Sequence, residues 1–187
     1  MYNPVKRVSY VFSQVLFPSF SSLQGDYRRI LKGYYTSLNL VAMVSFPVMV
    51  LLSLNTEFVL NILFGRKWDG AIPIIQILSI AGAVQSIQQF GGVIFSSLGK
   101  PEYNILMSMS AVLLTITAII VGAQFNILAV AYLLLSSKIV LFFLLLILLK
   151  RVINLSFKQV IISIRGPIMT SLIMLAVALT FGGSKSN

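Results

Sequence analysis

The run Asn126–Leu149, NILAVAYLLLSSKIVLFFLLLILL, contains one charge, Lys138, near its middle. At ~1.5 Å per residue a helix of this length reaches about 36 Å, against a hydrocarbon core of about 30 Å, so the run is expected to cross a bilayer as a single helix. Lys138 lies too deep in it to snorkel comfortably, and a mid-helix lysine costs roughly 2.5 to 3.5 kcal/mol on insertion scales. Ile127, Ala131, Leu134, Lys138, Leu141 and Leu145 follow one helical line. The cation therefore stands on an apolar face and needs a cavity or a partner helix there. Two readings follow: a cation lining a path for an anionic group, or a lysine held by neighbouring carbonyls or hydroxyls for packing alone.

The rest of the composition agrees with a membrane protein. The chain is 58% hydrophobic and 10% charged, with a mean hydropathy of +0.97, which is too apolar for a soluble domain and is expected of a polytopic helical bundle. Lys and Arg number 14 against 4 Asp and Glu. Most of these cations fall in short stretches between apolar runs, so orientation in the membrane explains the excess and no nucleic-acid partner is implied. Histidine and cysteine are absent, which removes imidazole and thiol chemistry and the usual zinc ligands.

Taken in order, the spans expected are 3–22, 34–54, 71–98, 103–121, 126–149 and 166–181. The first is amphipathic, with Val8, Val11, Phe12, Val15 and Leu16 on one face. Asn3, Arg7, Tyr10 and Gln14 cluster on the other, as for a helix lining a wet cavity or lying at the interface. Pro47 deprives the Met43 carbonyl of its donor and is a candidate hinge, as are Gly91 and Gly92. In the 55–70 loop, FVLNILFG dips towards the interface, and Trp68 suits the headgroup level. Asp69 is a candidate cap for the following helix, with Pro73 in its first turn. That helix carries Gly82, Gln85, Gln88, Gln89, Gly92 and Ser96 on one face, a stripe suited either to close helix packing or to a sugar-facing lining. Residues 150–165 form a basic segment, expected as an amphipathic helix at the surface.

Alternate loops divide the cations unevenly. Arg28, Arg29, Lys32, Lys100, Lys150, Arg151, Lys158 and Arg165 share one side and Arg66, Lys67 and Lys185 the other, joined by Lys6 and Arg7 if these reach the surface, and eight against three to five puts the first set in the cytoplasm. The carboxylates Asp26, Glu57, Asp69 and Glu102 all fall in or beside loops. No carboxylate proton relay, phosphate-binding glycine loop or metal cluster is visible, so no catalytic residue, metal ligand or cofactor is assigned and a non-enzymatic role is expected.

Four loop motifs then resemble a known family. Phe17-Pro18-Ser19-Phe20-Ser21 with Leu23, Gln24 and Asp26, then Phe46-Pro47, then Phe64-Gly65-Arg66-Lys67-Trp68, then Ser97-Leu98-Gly99-Lys100-Pro101 resemble the polysaccharide exporters. These are the lipopolysaccharide O-unit and capsule-repeat flippases of the multidrug/oligosaccharidyl-lipid/polysaccharide (MOP) superfamily. The resemblance implies an all-α fold of two bundles about a central cationic cavity, of which this chain is most of the second, with the first bundle cut off. It implies a bacterial inner-membrane transporter moving undecaprenyl-diphosphate-linked oligosaccharide by alternating access, with coupling to a proton or sodium gradient possible. Arg7 and Lys138 would attract the diphosphate or acidic sugars, Gln85 and Gln89 would meet hydroxyls, and Tyr10 and Gln14 would complete the lining. Membrane lipid, a polysaccharide polymerase and chain-length proteins would be partners. A peptidoglycan-precursor flippase or drug/cation antiporter of the same superfamily, or a membrane enzyme of envelope polysaccharide assembly, are the alternative readings.

If the chain is one bundle of two, the intact protein extracted from its native membrane should have a mass well over twice 20.6 kDa. A native mass near 20.6 kDa would require two copies to build one path.

Overall fold

The computed structural model describes residues 27–182; the expected span 3–22 lies outside them. All regular structure among the described residues is helical: α1 (Tyr27–Leu54), α2 (Thr56–Leu63), a 3-10 turn (Arg66–Ala71), α3 (Ile72–Ser97), α4 (Pro101–Ala123), α5 (Ile127–Ile153) and α6 (Phe157–Gly182). Five of the helices are long and apolar enough to cross a membrane, and the chain is a multi-pass membrane protein.

The long helices pack in the order α6, α1, α3, α5, α4, with α3 also touching α4. The sequence explains the inner face of α1: Ile30, Tyr34, Leu38 and Ala42 recur every four residues and are fully buried. Ile30, Tyr34 and Leu38 join a core with Ile87, Ile94 and Phe95 of α3 and Leu145, Leu149 and Val152 of α5. Apolar residues such as Val112, Leu113 and Ile116 on α4 are exposed, which costs nothing where the surroundings are hydrocarbon.

Hydrocarbon is as apolar as leucine, so burial alone does not hold these helices together. Close approach and polar joints supply what is missing. A Cβ on Gly91 would collide with Leu145 of α5, and one on Gly122 would fall 2.7 Å from Val130 Cα. The Asn104 amide of α4 donates to the Gly92 carbonyl at 3.1 Å and to Ser96 Oγ at 2.7 Å. Asn39 donates to the Ser163 carbonyl, and the Ser156 N–H donates to the Tyr35 hydroxyl at 3.1 Å, which ties α1 to α6.

The structure corrects several local expectations. Asp69 does not cap α3: it sits within the 3-10 turn, and the N-cap is Ala71, with no side-chain bond. Pro73 does occupy the first turn. Residues 150–165 are not a separate surface helix. Lys150 and Arg151 end α5, a turn at 154–156 follows, and Lys158 and Arg165 already belong to α6. The break is Asn154, left-handed at φ 54°, a conformation that asparagine tolerates better than most residues. Leu155 is buried behind it and pins the turn to the core. Helical structure begins by Tyr27 rather than 34, so Arg28, Arg29 and Lys32 lie on α1 rather than in a loop.

Helix interiors prefer alanine over glycine by ~1 kcal/mol when space is available. Gly122→Ala should nonetheless destabilise the protein by about 1 to 3 kcal/mol, because backbone stands in the way. Gly166→Ala meets nothing within 4 Å apart from its chain neighbours, of which Pro167 disfavours a side chain on the residue before it, and it should cost less than Gly122→Ala. Thermal unfolding of the two variants in detergent separates the cases; equal behaviour would deny the close approach of α4 and α5.

Candidate functional site

Helix α3 stands between α1 and α5 and carries the densest run of polar side chains at bilayer depth. Successive residues on a helix point about 100° apart, so its neighbouring glutamines have different surroundings. Gln88 is half-buried and its amide donates to the Lys138 carbonyl at 2.5 Å. Gln85 and Gln89, one turn apart, are both exposed and find no hydrogen-bond partner among the described residues. An unsatisfied amide facing hydrocarbon is costly, so this face belongs against water, a ligand or another part of the protein.

Lys138 is half-buried on α5. Its ammonium forms no hydrogen bond or ion pair among the described residues. The adjacent hydroxyls are engaged on their own helix: Ser136 donates to the Tyr132 carbonyl at 2.9 Å and Ser137 to the Leu134 carbonyl at 2.7 Å. Glu57, Asp69 and Glu102 are exposed at helix ends or in the 3-10 turn. Arg7, Tyr10 and Gln14 lie outside the described residues.

The structure thus links α3 to the Lys138 turn through Gln88, a residue noted in the sequence only as part of a stripe. What could have singled it out is its offset from the Gln85–Gln89 line, which turns it towards a different neighbour. Of the hinge candidates, Pro47 is half-buried inside α1, whose helical pattern continues through it, and Gly91 and Gly92 lie within the unbroken α3. Gly91 has a packing reason of its own in Leu145.

A cavity of about 430 Å³ lies elsewhere, between α1, α3, α5 and α6. Met49, Val50, Ile80, Val84, Phe142 and Ile168 are among its walls, which are almost wholly apolar, and none of the candidate site residues lines it. Among the described residues, no group of three or more side chains could hold a metal ion.

Residues 1–73 match a family described as polysaccharide biosynthesis protein, in agreement with the resemblance read from the loop motifs. The chain is similar to the lipopolysaccharide biosynthesis protein WzxC of Escherichia coli (strain K12), at 26% identity over 96% of this chain and 37% of the relative. It is also similar to the teichuronic acid biosynthesis protein TuaB of Bacillus subtilis (strain 168), at 26% identity over 98% of this chain and 38% of the relative. An uncharacterized membrane protein in the cps region of Klebsiella pneumoniae is 25% identical over 66% of this chain and 26% of the relative. The match therefore spans little more than a third of the length of the first two relatives and about a quarter of the third. No solved structure matches it.

Loss of one interhelical amide bond in a membrane costs about 1 kcal/mol. Gln88→Leu should therefore lower the stability of the protein by that order, whereas Gln85→Leu, which breaks no bond among the described residues, should not lower it. The comparison is made by thermal unfolding in one detergent, and equal losses would count against the Gln88–Lys138 joint.

Proposed function

We propose that the protein takes part in the export of a polysaccharide precursor, as a flippase that moves undecaprenyl-diphosphate-linked oligosaccharide across the bacterial inner membrane by alternating access. It works as a transporter rather than an enzyme. The observation that carries this reading is the α3 face at bilayer depth, where, among the described residues, Gln85 and Gln89 stand exposed and without partners beside a turn of α5 that holds a cation equally without one.

The chemistry suits such a cargo. Carboxamides donate to and accept from sugar hydroxyls without regard to the pH of either compartment. A lysine in a low-dielectric wall attracts a diphosphate far more strongly than it would in water, and the anion in turn offsets the cost of burying the ammonium. In this reading Arg7 adds a second cation, and Tyr10 and Gln14 add polar contacts. Pro47 and Gly91-Gly92 serve as the points about which α1 and α3 bend. The relatives named for lipopolysaccharide and teichuronic acid biosynthesis support a precursor of envelope polysaccharide as the cargo. A polymerase and chain-length proteins would then receive it, and a proton or sodium gradient would drive its movement.

The test is complementation of an export-deficient strain with the full-length gene. Lys138→Gln should reduce surface polysaccharide about tenfold or more, the effect of losing ~1.4 kcal/mol of attraction for the anion. Gln85→Leu with Gln89→Leu should reduce it by several-fold, at unchanged membrane abundance. Normal export by both variants would remove these residues from the site.

A further inference from the structure

The connection between α1 and α3 has a composition and exposure that neither span explains. From Gly33 to Leu54 helix α1 rises about 33 Å at ~1.5 Å per residue, which uses up the hydrocarbon thickness. Helix α2 therefore begins at the far boundary of the membrane, on the side poor in basic residues. Its inner side is anchored, with Thr56 and Leu60 buried and Thr56 Oγ1 donating to the Leu52 carbonyl at 2.7 Å. The rest of the segment presents Phe58, Ile62, Leu63, Phe64 and Trp68, each more than half exposed. The Phe64 and Trp68 rings pack with centroids 5.9 Å apart. Arg66 and Lys67 are exposed in the turn between them.

Five large apolar side chains on so short a segment would form an exceptional patch in water. At a membrane boundary each has a place. Aliphatic side chains suit the acyl region, an aromatic pair ending in tryptophan suits the headgroup level, and adjacent cations suit lipid phosphates. Both ends of the segment are tied to spans at this depth.

We propose that residues 56–68 form an interfacial apron seated in the leaflet opposite the cytoplasm, with the bilayer itself as its partner. Phe58, Ile62 and Leu63 enter the acyl boundary, Phe64 and Trp68 lie among the headgroups, and Arg66 and Lys67 meet phosphate oxygens. The apron holds the outer ends of α1 and α3 at a set depth, whatever the cargo. This inference is independent of the proposed transport.

The chain has no cysteine, so one thiol introduced at position 58, 62 or 67, in full-length protein freed of any others, takes a single spin label. Power saturation in liposomes with oxygen and a water-soluble nickel chelate then reads depth. Labels from Phe58→Cys and Ile62→Cys should be relaxed several-fold more by oxygen than by the chelate, and the label from Lys67→Cys the reverse. Strong relaxation by the chelate at 58 and 62 would place the segment in water and overturn the proposal. Protection from both reagents would overturn it too, in favour of a covering protein surface. Trp68 is the single tryptophan of the chain and gives a check that leaves the apolar face intact. The fluorescence difference between the parent protein and Trp68→Phe should be quenched more by lipids brominated near the headgroup than by lipids brominated near the chain end. Equal or absent quenching would sink the headgroup placement.

Discussion

Inside a bilayer no water is available to a backbone N–H or C=O, and each one left unpaired costs several kcal/mol. That constraint decides the form of every long segment of this protein. It also leaves little to choose between neighbours, because one apolar helix face is as content against lipid as against another helix. The arrangement rests instead on a few places where backbones come close and a few side chains that bond between helices. The Val130 backbone against Gly122 is such an approach, and at Gly91 the Leu145 side chain fills the space a Cβ would take. Asn39 to Ser163, Gln88 to Lys138 and Asn104 to Gly92 are the polar joints.

These joints converge on α3. It contacts α1 on one side and α5 on the other, supplies the acceptor for Asn104 and the donor for Lys138, and still has two amides without a partner among the described residues. A helix that satisfied all its polar groups internally would be a strut. Among the described residues, this one keeps two amides unpaired while its neighbours hold it in register.

The all-helical, membrane-spanning architecture was legible in the sequence because it depends on run length and hydropathy, which no tertiary contact can overrule. Boundaries were less legible. The basic stretch 150–165 reads as a surface segment by charge, yet a left-handed Asn154 and a buried Leu155 reduce the break to one turn, and α6 takes up the remaining cations. Asp69 has the chemistry of a cap, but the 3-10 turn places it ahead of the position where a cap acts. In both places a local preference yielded to the packing of the ends of two spans.

The candidate site shows the same division. Run length and hydropathy determined that a cation and several amides lie at bilayer depth, and composition that the sequence holds neither thiol nor imidazole. Which glutamine bonds across to α5 and which two stay open differs by a single residue, or about 100° around α3. A helical wheel has no means of choosing among them until the neighbouring helices are in place. Only the tertiary structure decided it, because in a membrane the partner of a polar side chain is set by which helix backbones approach closely enough to bond.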